Sequence, residues 1–130
     1  MIVDDRPTNR AFLTTLLGYG GHQLLEASDG AEALEVARRE RPDLVIADII
    51  MPAMYGYEFA RQLRADGDHR ATSIIFYTAS YMRHDARALA IQLGIEHILI
   101  KPAEPPTILD TVAHALAART LPRAPTAQAE

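Results

Sequence analysis

The sequence predicts an α/β fold in which a doubly wound parallel sheet of five strands is covered by helices on both faces. Three observations carry that expectation. Short apolar runs alternate along the chain with stretches of helical period, the pattern of consecutive βα units. The runs are mostly continuously apolar, as in strands buried on both sides. Finally, 130 residues with 48% hydrophobic content suit one domain with a real core and leave no room for a second.

The strand candidates are "MIV", "HQLLEA", "DLVIA", "SIIFY" and "HILI", of which the more mixed "HQLLEA" suits a position near an edge. Helix one should begin near Pro7, favoured in a first turn, bury Phe12, Leu13, Leu16 and Leu17, and stop at Gly18. Helix two follows Ser28 and Asp29, either of which can cap it, turns Ala33, Leu34 and Ala37 inward and ends before Pro42. Helix three runs from about Gly56, with Phe59, Ala60 and Leu63 inward, to the polar loop "ADGDHR". Helix four buries Ala86, Leu89, Ala90 and Leu93 and stops at Gly94. Helix five opens at Glu104 and Pro105 and presents Ile108, Leu109, Val112 and Leu116 on one face. These elements define a domain over residues 1–119. Residues 120–130, ending "LPRAPTAQAE", are rich in Ala and Pro and read as a tail or linker.

Composition excludes several function classes. Seventeen acidic and thirteen basic residues give a net charge of −4 with the basic residues dispersed, so direct nucleic-acid binding is not expected. Without cysteine there is no disulfide framework, thiolate nucleophile or Cys-ligated zinc. His22, His69, His84, His97 and His114 show no ligand spacing, and solvated or capping roles suit them better. No apolar run has the length of a membrane span and the start has no signal-type region, so the expectation is a soluble, cytoplasmic protein.

In an open parallel sheet, ligands bind beyond the carboxyl ends of the strands, and here those ends carry unusual chemistry. Strand one ends in Asp4 and Asp5, strand three in Asp48, strand four in Thr78, and strand five in Lys101 followed by Pro102. In a flavodoxin-like three-layer arrangement of five βα units, with strand order 2-1-3-4-5, strands one and three are neighbours and the three carboxylates converge. Carboxylates packed this closely repel unless a cation intervenes, and a hard divalent ion, naturally Mg2+, is the economical partner. Asp48 would act as nucleophile toward phosphorus, forming an acyl phosphate, with Lys101 and Thr78 contacting phosphoryl oxygens.

Singly, each signal has an ordinary explanation. An Asp after a strand usually opens a turn or caps a helix, a lone strand-end Thr says little, and a Lys before Pro is usually solvated. Their coincidence on one edge, in order, favours a site.

These residues resemble the receiver domain of two-component response regulators, the chemotaxis regulators among them. The resemblance runs through "VDD" (3–5), "EASDGAEAL" (26–34), "PDLVIADIIMPAMYGYEF" (42–59), "IIFYTAS" (74–80) and "LIKPAEP" (99–105), covering nearly everything before the tail. A chemotaxis member of the family has this strand order, so the order is what the resemblance implies and not something the pattern of strands and helices shows. The resemblance implies Asp48 as phosphoacceptor and Asp4, Asp5, Asp48 and the Ile50 carbonyl as Mg2+ ligands. Thr78 and Lys101 would sense the phosphoryl group, and the Lys101–Pro102 peptide would be cis. The partners implied are a sensor histidine kinase or histidine phosphotransfer protein and a downstream effector, with a homodimer among the assemblies allowed. The implied protein assists its own phosphotransfer and is not a dedicated enzyme.

Four departures qualify the match. Only "MIV" precedes the acidic pair, a short central strand expected to cost stability. Ile98 occupies the position of the family's switch aromatic, which leaves Tyr81, after Thr78, as a substitute carrier of the signal. Ala53 and Tyr55 replace a frequent glycine and acidic residue after Asp48. Ile50 and Ser80 stand where the family often tunes hydrolysis, and Ile50→Asn is expected to change the phosphoryl lifetime.

The competing functions are a docking module that is never phosphorylated and, less favoured, an aspartyl-phosphate phosphatase. Phosphatases of the haloacid dehalogenase type usually carry an acid two residues after the nucleophile, where this chain has Ile50. A flavin-binding role suits the site poorly, because Asp4 and Asp5 would repel a phosphate.

Overall fold

A computed structural model describes residues 1–51, 54–67 and 71–120. Its elements follow the predicted order: β1 (Ile2–Val3), α1 (Pro7–Gly18), β2 (Glu26–Ala27), α2 (Gly30–Glu40), β3 (Leu44–Ala47), α3 (Gly56–Ala65), β4 (Ser73–Ala79), α4 (Arg83–Leu93), β5 (His97–Lys101) and α5 (Pro105–Thr120). A 3-10 turn, Ser80–Met82, joins β4 to α4. All strand pairs are parallel and the order is β2-β1-β3-β4-β5.

Because successive strand residues face opposite sides, the sheet divides the core in two. Val3, Val45, Ala47, Ile74 and Phe76 pack against Ala33, Ala37, Phe59, Leu63, Ala86 and Ala90 from α2, α3 and α4. On the other face, Ile2, Ile46, Ile75, Tyr77 and Leu99 meet Leu13, Leu17, Ile108, Val112 and Ala115 from α1 and α5.

Local chemistry explains the helix ends. Asp29 caps α2, its Oδ1 accepting from the Glu32 amide at 2.8 Å, while Glu32 Oε1 reaches back to the Ser28 amide at 2.7 Å. Gly94 ends α4 with a φ of 69°, a conformation that costs glycine little. Two burial expectations fail. Phe12 is 42% exposed because α1 meets the sheet through Leu13 and Leu17, one turn apart, with Leu16 half-buried beside them. Leu109 is 37% exposed because the buried line of α5 runs through Ile108, Val112 and Ala115.

Strand two is also shorter than the sequence suggests. Of "HQLLEA", only Glu26 and Ala27 pair as a strand, in register with Ile2 and Val3, since a two-residue β1 offers nothing further to pair with. The α-amino group of Met1 is buried where β1 begins and donates to the Leu44 carbonyl at 2.7 Å. A cavity of about 590 Å³, lined by Met1, Leu17, Leu25, Pro42, Leu44 and Leu116 among others, lies at this amino end of the sheet, opposite the acidic strand ends. Among the described residues, no helix is long and apolar enough to cross a membrane.

Candidate phosphoryl and metal site

The carboxyl ends of β1, β3, β4 and β5 meet as the strand order requires. Hydrogen bonding continues one residue beyond β1 and β3: the Asp4 amide donates to the Ala27 carbonyl and the Asp48 amide to the Val3 carbonyl, both at 3.2 Å. Asp4 and Asp48 are thereby held side by side. With Asp5, they bring one oxygen each within 4.8 Å of one another, the one such acidic or histidine group of three among the described residues.

Asp4 is the most enclosed of the three, 2% exposed. Its Oδ1 accepts from the Arg6 amide at 2.9 Å, Asn9 Nδ2 lies 3.3 Å from its Oδ2, and Arg10 donates to its backbone carbonyl at 2.7 Å. Asp5, by contrast, is exposed. Asp48 is half-buried and engaged at both oxygens: Oδ1 accepts from Thr78 Oγ1 at 2.9 Å and the Ile50 amide at 3.3 Å, and Oδ2 accepts from Lys101 Nζ at 2.8 Å. Ile50 has an exposed side chain. Thr78 is 1% exposed, fixed within β4, so its hydroxyl is presented by a strand rather than a loop.

Lys101 closes the arrangement from β5. Its Nζ lies 2.9 Å from Asp4 Oδ2 as well as 2.8 Å from Asp48 Oδ2, and 5.3 Å from the centroid of the Tyr77 ring. Burial would pull the ammonium's pKa down, but hydrogen bonds to Asp48 and Asp4, with their charges, outweigh it and raise the pKa. Lys101 is therefore a cation throughout the neutral range. The following Lys101–Pro102 peptide is cis.

Of the other positions singled out in the sequence, Ile98 is half-buried against the α2, α3 and α4 side of the core. Tyr81 lies in the 3-10 turn, 77% exposed, and Tyr55 precedes α3, exposed. Ser80 is exposed in the same turn as Tyr81. Ala53, His69 and residues 121–130 of the proposed tail lie outside the described residues.

Several contributors escaped the sequence reading. Asn9 and Arg10 are ordinary first-turn helix residues until folding sets them beside Asp4. Tyr77 reads simply as part of a core strand. Gly56 was visible only as a helix start, yet a Cβ there would stand 1.8 Å from the Asp48 carbonyl oxygen, so α3 approaches the Asp48 backbone as only glycine permits.

Three carboxylates, one hydroxyl and one ammonium thus meet at the switch point of this sheet, and comparison with known proteins places the chain as a whole. The profile of the response regulator receiver domain matches residues 1–113. PilH of Pseudomonas aeruginosa is 37% identical over 117 residues, spanning 90% of this chain and 96% of PilH. The polar-differentiation response regulator DivK of Brucella anthropi is 33% identical, spanning 86% of this chain and 90% of DivK. Among solved structures, the receiver domain of a signal transduction histidine kinase from Syntrophus aciditrophicus superposes with a TM-score of 0.84 at 28% identity, covering 95% of this chain and 92% of that one. The chemotaxis response regulator CheY4 of Vibrio cholerae gives 0.81 at 31% identity, covering 88% and 94% respectively. With its flavodoxin-like sheet and these relatives, the chain belongs to the response regulator receiver domain family.

Proposed function

We propose that this receiver domain is the phosphoacceptor switch of a two-component phosphorelay. In this reading Asp48 takes a phosphoryl group from a phosphohistidine of a sensor histidine kinase or histidine phosphotransfer protein. The observation that carries it is the bridging of Asp4 and Asp48 by Lys101 at 2.9 and 2.8 Å, with Thr78 on the other oxygen of Asp48. A merely structural carboxylate has no need of two such donors at a solvent-facing strand end.

The donor set suits Mg2+: three carboxylates supply hard oxygen ligands, and against one ammonium they leave an excess of two negative charges. Asp4, Asp5, Asp48 and the carbonyl of Ile50 would hold the ion. When bound, it supplies positive charge to the oxygens of the transferred group.

The chain's own residues do the rest. A carboxylate oxygen of Asp48 attacks phosphorus as the P–N bond breaks, and the bonding electron pair returns to the donor imidazole, which leaves neutral because its other ring nitrogen carries a proton. The product is a mixed anhydride at Asp48. Lys101 moves its pairing from the carboxylate to a phosphoryl oxygen, and the Thr78 hydroxyl donates to another. Losing these contacts to Asp48 and Asp4 biases the ends of β4 and β5 toward a second arrangement, which a downstream effector reads as a population shift. The protein assists this transfer and its reversal by water without being a dedicated enzyme. It acts in the cytoplasm, with residues 1–119 as the receiver and 120–130 as a tail.

Intact mass after incubation with acetyl phosphate tests the reading. One phosphoryl adduct, dependent on Mg2+ and absent from Asp48→Asn, is expected. A folded native chain that gains no adduct under the same conditions would instead make the domain a docking module.

A further inference from the structure

Far from the carboxylates, two histidines distant in sequence meet in the fold. His97 opens the edge strand β5, in register with Ile75 on the sheet face that packs against α5. His114 lies on α5 beside Ala115, which is buried against that face. Their ring centroids are 5.4 Å apart, with the planes at 83°. His114 is exposed and His97 half-buried, so the pair is open to solvent.

This spacing has chemical meaning. Two imidazoles bound to one tetrahedral ion, with metal–nitrogen bonds of about 2.0–2.1 Å, hold their ring centroids about 5 Å apart. The centroid separation of this edge-on pair is therefore close to that of a chelating pair, on a strand and a helix that fix both backbones, and rotation of the rings about their side-chain bonds is what turns a nitrogen of each to a shared ion. Asp110 is exposed one helical turn before His114, and its carboxylate adds local negative charge favourable to a cation.

We propose that His97 and His114 bind a borderline divalent transition-metal ion of the zinc, nickel or copper(II) class, with water completing the coordination. Neutral imidazole prefers such ions, whereas the oxygen donors of Asp4, Asp5 and Asp48 prefer Mg2+, so the two sites differ in metal as well as position. His97 and Lys101 occupy opposite ends of β5. An ion on the pair ties the start of that strand to α5 and restrains the element whose other end carries Lys101. This site stands independently of phosphorylation.

Zinc titration of the whole chain, with excess Mg2+ to fill the oxygen site, tests the proposal by calorimetry and by the NMR signals of the histidine rings. The expected result is one equivalent of zinc, with the His97 and His114 signals moving together while those of His22 and His84 stay. His114→Ala and, separately, His97→Gln should each weaken binding at least tenfold, and His22→Ala should leave it unchanged. Circular dichroism establishes that each variant is folded. Equal shifts at all histidines, undiminished affinity in folded His114→Ala, or no binding at one equivalent would overturn the proposal and leave the pair as a ring contact.

Discussion

Lys101 is the residue on which the site turns, since its ammonium joins two carboxylates that would otherwise repel. Lys101→Met should destabilise the folded chain by about 1–3 kcal/mol in EDTA, by urea denaturation, because it leaves Asp4 and Asp48 without their shared cation. Saturating Mg2+ should shrink that cost, and an equal cost with and without the ion would contradict the proposed ligand set. Tyr77 offers a finer test, because its ring faces the same ammonium at 5.3 Å. A cation–π contact of this kind contributes about 0.5–2 kcal/mol, so Tyr77→Leu should change phosphoryl lifetime several-fold while Tyr77→Phe preserves it, read by the decay of the phosphorylated mass. At this scale the sequence was informative where chemistry is conspicuous. Asp48 at the end of an apolar run and Lys101 before Pro102 stand out, whereas Asn9 and Tyr77 acquire significance only from neighbours distant along the chain.

Elements set how firmly those residues are held. The start of α3 is wedged against the Asp48 backbone, and the Gly56 amide donates to the Ile49 carbonyl at 2.7 Å. Gly56→Ala must displace either α3 or Asp48, so it should cost about 2–3 kcal/mol and lower phosphoryl uptake at least tenfold in the fraction that remains folded. Thermal melts and intact mass on the same sample separate the two effects. Helices α2, α3 and α4 were legible because their alanines and large apolar residues recur with helical period on one side. In α1 and α5, apolar residues extend around the helix beyond the buried line, and the pattern therefore placed Phe12 and Leu109 inside when both are exposed. The length of β2 was illegible for another reason: it depends on how much of β1 is present to pair with it, a tertiary fact.

For the whole molecule, the buried start of β1 links stability to pH. Burial lowers the pKa of the Met1 amine from 8.0 to about 6, with the Asp43 charge opposing the shift. Between those values the unfolded chain binds a proton that the folded chain does not, so stability rises with pH across the interval. Below about 6 the penalty is fully present, and above about 8 it is gone. The gain should be about 2–3 kcal/mol, measured as the difference in urea stability between chains with free and acetylated amines, and parallel curves for the two would refute it. The parallel βα sheet was readable from the alternation of strands and helices, whereas its strand order came with the family resemblance, and the carboxylate cluster follows from that order, since β1 and β3 must be neighbours for Asp4 and Asp48 to meet. The meeting of His97 with His114 was not readable, because no sequence spacing encodes how α5 lies across β5. The central claim, that this assembly exists to make an acyl phosphate at Asp48, is tested most directly by borohydride reduction of the phosphorylated chain followed by peptide sequencing. The account predicts homoserine at position 48 and nowhere else. A label at another residue, or unaltered Asp48 in a chain that has gained a phosphoryl group, would contradict it.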